Sequence, residues 1–200
     1  MSEYSDIAIT PAIIELQQRK GSNVLPADHT GDGRGEPHVL DTSELSMITT
    51  RDSLYLASVS ETGWPYVQHR GGQVGFIKAL DEHTIGWTER NGNRQYLGTG
   101  NITANGRVAA ILVDYPTQTR LKLYGTATYH PDPSPELLAR LDDDGSRNDG
   151  AIVVEVLATN WNCPKYITPR FTEAQIRQKT RHLEERIVEL ETELAAAISR

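Results

Sequence analysis

The chain has 200 residues, 38% apolar and 24% charged, which is the balance of a globular protein and fits one domain with appended helices. Its net charge of −7 argues against general binding to nucleic acids or anionic membranes, which needs a dominant basic surface, and favours a small anionic ligand in a local basic pocket. No apolar run could span a bilayer and no secretory pattern opens the chain, so we expect a cytoplasmic protein. Because Cys163 is the sole cysteine, we expect neither an internal disulfide nor a structural zinc site.

The N-terminal region, residues 1–52, is predicted to contain two short helices joined by a loop. Pro11 follows a capping-type threonine and a glycine supplies a stop, so we expect an amphipathic helix over residues 7–20. Residues 21–40 are rich in Gly, Pro, Asp and His without periodicity, which predicts a loop. Its His and Asp residues lack metal-ligand spacing, so no metal site is predicted. Capping-type residues open a second helix over 41–51.

Residues 53–170 are predicted to form the main domain. From Ser53 the sequence alternates with the period of a strand, and the turn-like Glu61-Thr62-Gly63 joins the first two runs as a hairpin. The predicted strands cover 53–60, 64–70, 74–80, 84–89, 107–114, 121–129 and 151–158, with short helices at 93–104 and 133–141 and a charged loop after the second. Six or seven strands at short intervals predict a mainly β fold with flanking helices (α+β), built as an antiparallel barrel or sandwich.

Residues 171–200 are predicted to form a third region, one long helix without a breaker. Apolar and small residues recur there at alternating steps of four and three, as in a heptad seam: Ile176, Thr180, Leu183, Ile187, Leu190, Leu194 and Ala197. Lys179 and Arg186 take g positions, and Glu184 and Glu191 take e positions five residues later, so two parallel copies would pair opposite charges. The seam predicts either a coiled coil or packing onto its own or a partner's barrel, and therefore a role in assembly.

Two polar and basic clusters lie between residues 64 and 101, each at the end of an apolar run and beside glycines. They are Gln68-His69-Arg70 and Asn93-Arg94-Gln95. An arginine guanidinium presents five donors in a planar fork that suits a phosphate or carboxylate. Backbone amides at the start of the predicted helix would add donors and a favourable dipole. Together the clusters predict an anion site that a phosphate would fit.

The segments WPYVQHRGG, GWTERNGNRQYLGTGNITANGRVAAILVDY and RLKLYGTA resemble the pyridoxamine 5′-phosphate oxidase-like family of FMN-binding split β-barrels. The parts follow the family's order: a G-x-P-x hairpin, the pair Trp87-Thr88, Arg94 opening a helix, an N-x-R-V strand start, and a basic strand ending in Gly125. The resemblance covers roughly residues 50–130. The segment WNCPKYITPRF has no counterpart of the Arg and His with which the oxidases grip pyridoxal phosphate, so the chain resembles the family's flavin-nucleotide-binding relatives and not the oxidase proper.

This resemblance implies a split-barrel homodimer with FMN at the subunit interface, bound by residues of both chains. By position, Gln68 and Arg70 would contact the ribityl chain or phosphate, Trp87 and Thr88 would lie along the isoalloxazine ring, and Arg94 would hold the phosphate. His69, Asn93 and Gln95 belong to the same implied cofactor site. Four further residues are implied: Asn101 from a longer helix, Arg120 or Lys122 from the barrel strand, and Trp161, supplied to the partner's flavin.

The function implied is that of an FMN-binding oxidoreductase that transfers a hydride or electrons to or from a small-molecule substrate. No Ser/His/Asp or paired-carboxylate pattern occurs, so hydride transfer at flavin N5 would need no obligatory side-chain acid or base, with His69 and Cys163 as the candidates for proton transfer. One alternative is a non-catalytic protein that binds flavin, haem or a deazaflavin; haem would require an axial ligand, for which His69 is the candidate on this stretch. Another is a unit of assembly led by the terminal helix.

Overall fold

The computed structural model describes residues 3–22, 36–141, 148–162 and 164–198. Most of the predicted N-terminal loop (23–35), most of the charged loop (142–147) and Cys163 lie outside these described residues. The helices are α1 (Glu3–Ala8), α2 (Pro11–Lys20), α3 (Thr42–Thr49), α4 (Leu97–Asn105), α5 (Pro135–Arg140) and α6 (Glu173–Ile198). The strands are β1 (Ser53–Val59), β2 (Pro65–Gly71), β3 (Lys78–Ala79), β4 (Thr84–Arg90), β5 (Arg107–Asp114), β6 (Thr119–His130) and β7 (Asn148–Asn162).

The strands form one seven-stranded sheet in the order β2-β1-β5-β6-β7-β4-β3, and every pairing is antiparallel. The predicted fold class, a six- to seven-stranded antiparallel β structure with flanking helices and a long C-terminal helix, is therefore confirmed. Pro65, which lacks an N–H, begins β2, and β2 is an edge strand, where a proline is tolerated. At the turn of the β1–β2 hairpin, Gly63 has a φ of +84°.

The sheet curls until its two sides meet. β2 and β4 are separated by four strands in the sheet order, yet the Arg70 guanidinium on β2 lies 2.7 Å from the Glu89 carboxylate on β4. The hydrophobic core fills the inside of this curl with alternate residues of the strands, closed by Ile48 from α3 and Ile102 from α4, which are at most 3% exposed. The opening between β2 and β4 is thus the place where the barrel is split.

Several helix ends follow the capping residues of the sequence. Thr10 is extended at the start of α2, with Pro11 at the first helical position and Gly21 left-handed at the end. Asp41 and Glu44 form a reciprocal capping box at α3, and the Ser134 hydroxyl accepts a bond from the amide at the third residue of α5.

Three elements differ most from the sequence prediction, and there are smaller differences at element ends: β7 covers Asn148–Asn162 and not 151–158, and α2 begins at Pro11 and not at residue 7. The strand expected over 74–80 is reduced to Lys78–Ala79, because Gly75 turns the chain at a φ of +83° just before it. The helix expected over 93–104 begins only at Leu97, because Arg94 and Tyr96 adopt left-handed φ angles of 60° and 53° that a helix cannot contain. The short helix α1 was not predicted; its Tyr4 ring packs 5.3 Å from the ring of Tyr124 on β6.

The terminal helix α6 confirms the predicted helix, with 26 residues and none of them buried. Thr172 and Gln175 form a reciprocal capping pair at its start, with bonds of 3.2 and 2.9 Å. Neither α6 nor any other helix within the described residues is both long and apolar enough to span a membrane.

Candidate functional site

A cavity of about 290 Å³ opens where β2, β4 and the start of α4 converge, at the split in the barrel. Eight of the twelve predicted site residues line it: Gln68, His69, Arg70, Trp87, Thr88, Asn93, Arg94 and Gln95. The two clusters, which lie far apart in sequence, are therefore brought to one place by the curl of the sheet.

The first cluster divides between the two faces of β2. Burial alternates along the strand, so Gln68 and Arg70 turn inward while His69 turns outward. The His69 ring lies edge-on to the ring of Tyr55 on β1, with 5.6 Å between the ring centroids. His69 therefore reaches only the rim of the cavity, and its ring belongs to the outer face of the sheet.

Glu89 lies outside the two predicted clusters and is bound to two members of the predicted site. It is 7% exposed, with one carboxylate oxygen 2.7 Å from the Arg70 guanidinium and the other accepting the Trp87 indole N–H at 2.9 Å. Burial raises the pKa of the Glu89 carboxyl above its ordinary value, against the opposing effects of Arg70 and the indole N–H. The only signal in the sequence was that Trp87 and Glu89, two residues apart on one strand, share a face.

Arg70 is only partly satisfied by this ion pair. Its side chain is 13% exposed, and its Nε has no hydrogen-bond partner within the part of the chain that the structure describes. A buried guanidinium N–H without a partner is costly, and a ligand acceptor in the cavity would relieve that cost.

The second cluster lies on an irregular segment between β4 and α4. Asn93 holds the turn by accepting the Gln95 backbone N–H at 3.2 Å. The left-handed backbone at Arg94 and Tyr96 costs on the order of 1 kcal/mol at each residue, and such strain concentrates at functional sites. The Tyr96 hydroxyl donates to Asp149 at 3.3 Å, and the pKa of Arg94 is raised by its hydrogen bond with Tyr96 and by the charge of Asp149.

The first turn of α4 presents its backbone amides to the inward side chains of β2. The first bond within the helix runs from the Gly100 N–H to the Tyr96 carbonyl at 2.8 Å, so the amides of residues 97–99 have no partner inside α4, and Tyr96 supplies no side-chain cap. A Cβ at Gly98 would lie 3.0 Å from the Gln68 amide oxygen and 3.2 Å from an Arg70 guanidinium nitrogen. Glycine at this position therefore leaves room for Gln68 and Arg70 beside the positive end of the helix.

The aromatic part of the predicted site is mostly core. Trp87 is only 2% exposed, so only the edge of its ring borders the cavity. Thr88 is half-buried and lies on the opposite face of β4. Phe76 and Tyr129 add apolar wall, and the Tyr129 hydroxyl donates to the Asp149 backbone carbonyl. In the described residues no three His, Cys, Asp or Glu side chains are grouped so that they could hold a metal ion.

The remaining four predicted residues do not line the cavity of a single chain. Asn101 donates to the Ser58 hydroxyl at 3.1 Å and so ties α4 to β1. Lys122 lies 5.5 Å from the Tyr4 ring centroid, and Arg120 stands opposite Asn162 on β7. Trp161 is 40% exposed. Their roles toward a cofactor stay predictions, and the role of Trp161 concerns the cavity of a partner chain.

Three solved structures can be compared with the chain. A variant of HupZ from Group A Streptococcus is 16% identical, with a TM-score of 0.50 over 62% of this chain and 99% of that one. An FMN-binding protein from Syntrophomonas wolfei is 10% identical (TM-score 0.45; 60% and 86% covered). The haem storage protein HutZ from Vibrio cholerae is 15% identical (TM-score 0.44; 62% and 95% covered). No curated protein sequence matches the chain.

The family to which the chain belongs is identified from its sequence. Residues 43–160, more than half of the chain, match the family described as pyridoxamine 5′-phosphate oxidase. This segment contains every strand of the sheet except the last two residues of β7, and it contains the split in the barrel with the cavity. The chain therefore belongs to the pyridoxamine 5′-phosphate oxidase family.

Proposed function

We propose that the cavity binds FMN and that the protein is a flavin oxidoreductase acting on a small-molecule substrate. The observation that carries the proposal is the meeting, at the cavity of a chain from this family, of two groups of donors: Arg70, whose Nε has no hydrogen-bond partner within the described residues, and the first turn of α4, whose amides have no partner inside the helix. Such an arrangement suits a phosphate monoester, because guanidinium and amide donors converge with the helix dipole on one anion.

The residues present fit the parts of FMN. The phosphate would accept from Arg70, the amides of residues 97–99 and Arg94, and Gln68 stands beside this position for the ribityl hydroxyls. The ring would take the apolar wall formed by the Trp87 edge, Phe76 and Tyr129, with Thr88 beside it from the opposite face of β4. When bound, the flavin supplies hydride or electron transfer, while the chain orients it and sets the charge around it.

The size of the cavity supports a homodimer with shared sites. The volume of about 290 Å³ falls just below the roughly 300–1,000 Å³ that is typical of small-molecule sites, so a wall supplied by a second copy would complete the cavity. The outer face of β1, β2 and β5 beside the cavity exposes Tyr55, Val67 and Ile111 at 42%, 61% and 38%. Ile111 lies directly opposite Tyr55, and Val67 lies opposite Ala57, two residues further along β1, so the three side chains share one face of the sheet. We propose that a second copy covers this face.

The absorption spectrum of the native protein tests this function. Protein purified without denaturation and then mixed with FMN is expected to retain flavin absorbance through gel filtration, and NAD(P)H oxidation by the loaded protein distinguishes an enzyme from a carrier. Absence of bound flavin would overturn the proposal at its first step.

The alternative is a non-catalytic protein that binds flavin, a deazaflavin or haem. For haem the phenol of Tyr66, which lines the cavity, is better placed as an axial ligand than the outward ring of His69. A Soret band in place of the flavin bands would favour this alternative.

A further inference from the structure

We propose that α6 pairs with α6 of a second copy as a parallel two-stranded coiled coil. The helix lies outside the segment that matches the family, and its apolar seam is uncovered in the single chain: Ile176, Leu183, Ile187, Leu190 and Leu194 are 47–61% exposed. The seam runs from residue 176 to 197, about 32 Å at 1.5 Å per residue. An aligned stripe of this length on an otherwise polar helix indicates a partner surface.

Packing on the chain's own barrel does not cover this stripe. No residue of α6 is buried, although the segment leading to it is fastened to the sheet. There Ile167 is 8% exposed, its carbonyl accepts the Gln118 amide at 2.6 Å, and the Arg170 guanidinium lies 4.9 Å from the Tyr115 ring centroid. The helix thus begins at a fixed position beside the β5–β6 turn and extends away with its seam free.

The residues of the seam select a second copy of the same helix. At the centre of the seam, Ile187 occupies an a position between Leu183 and Leu190 at d positions, and a β-branched a residue flanked by leucines at d favours a parallel dimer. In a closed two-fold dimer both copies present the same helix, so identical seams meet in register.

Charge complementarity favours the parallel orientation. Across a parallel pair, each g residue faces the e residue five positions later on the other chain, which matches Lys179 with Glu184 and Arg186 with Glu191. An antiparallel pair in full overlap would instead place Arg186 against itself at the centre. Arg186 now contacts Glu189 on its own helix at 2.7 Å, but both side chains are more than half exposed, so exchanging this partner costs little.

Site-specific cross-linking of the full chain tests the pairing, with Cys163→Ser as background. Leu190→Cys at a d position is expected to form a disulfide-linked dimer under mild oxidation at least about fivefold faster than Thr192→Cys at the outward f position. Adding Arg186→Glu should slow the Leu190→Cys reaction, and adding Glu191→Arg to that variant should restore it. Retained far-UV and near-UV circular dichroism shows that each variant is folded.

Equal rates for Leu190→Cys and Thr192→Cys would overturn the proposal. A second contrary result would come from mixing Ile176→Cys chains with Leu194→Cys chains. If the two variants cross-linked to each other and neither cross-linked to its own kind, the helices would have to be antiparallel. The substituted residues lie on α6, away from the cavity, so flavin binding by the same variants can be measured independently. Variants that bind flavin but do not cross-link as expected would contradict the coiled coil and leave the proposed function standing.

Discussion

Replacing Glu89 with glutamine should tighten FMN binding. In the free protein the Glu89 carboxylate forms an ion pair with the Arg70 guanidinium at 2.7 Å. A phosphate that binds to Arg70 would compete with this carboxylate and be repelled by its negative charge. A glutamine side chain at this position has nearly the same shape and keeps an oxygen for the Trp87 indole N–H, while its NH2 group faces the Arg70 guanidinium, so the change removes both the charge and the hydrogen bond to Arg70.

Coulomb's law sets the size of the effect. A Glu89 charge about 4 Å from the phosphate would oppose its binding by about 4 kcal/mol at an effective dielectric constant of about 20. Because the cavity is open to water, we expect about 1–2 kcal/mol of this to reach the phosphate, a gain in FMN affinity on the order of tenfold. Without ligand the variant should be less stable than the wild type, because a nearly buried guanidinium has then lost its counter-charge.

The assay is titration of apoprotein with FMN and riboflavin, followed by quenching of flavin fluorescence, at several pH values. Riboflavin lacks the phosphate and should bind both proteins alike. Because the pKa of Glu89 is raised, the native chain holds more protons than the unfolded chain between the ordinary carboxyl pKa and the raised one. The stability of the free wild-type protein should therefore fall as pH rises through that interval, and Glu89→Gln should remove this dependence. If FMN and riboflavin weaken equally in the variant, Glu89 acts on the ring and the reasoning is refuted.

Three further substitutions test separate parts of the structure. Arg94→Ala should weaken FMN binding about tenfold and riboflavin binding little, since a charge-assisted phosphate contact is lost; equal losses would contradict the phosphate role. Asn101→Ala should lower the free energy of unfolding by about 1 kcal/mol in urea denaturation through loss of its bond to Ser58, and a fall in FMN affinity without loss of stability would instead support its predicted cofactor contact. Gly125→Ala should destabilise the sheet by more than about 2 kcal/mol in the same assay, because its Cβ would lie 2.5 Å from the Glu155 carbonyl oxygen, and a neutral result would show that the bulge at this point can relax.

The strands were predictable because alternation and turn residues are local signals. β1 and β2 follow their predicted ranges, while the strand before Ala79 was overestimated because Gly75 was not recognised as a turn. The late start of α4 had no signal, since nothing in the sequence marks Arg94 and Tyr96 as left-handed residues when neither is glycine, asparagine or aspartate.

The sequence allowed the two polar and basic clusters of the candidate site to be predicted, but not which of their side chains contact one another. The period of two along a strand already implied that His69 would point to the face opposite Gln68 and Arg70 and reach only the rim of the cavity. Glu89 was missed because a glutamate in a strand is usually exposed, and its burial depends on an arginine that reaches it only when the sheet curls.

The ion pair between Arg70 and Glu89 also bears on which anion the cavity accepts. A buried arginine needs a counter-charge when no ligand is present, and Glu89 provides one without satisfying Nε. An incoming anion must compete with a carboxylate that is already in place, so a singly charged carboxylate gains little by entering. A phosphate monoester carries nearly two charges and three acceptor oxygens, enough to engage Arg70 and the amides of α4 together. Because the Glu89 charge repels such a dianion about twice as strongly as a monoanion, Glu89→Gln should raise the affinity for FMN more than the affinity for a carboxylate ligand, and equal gains would contradict this reasoning.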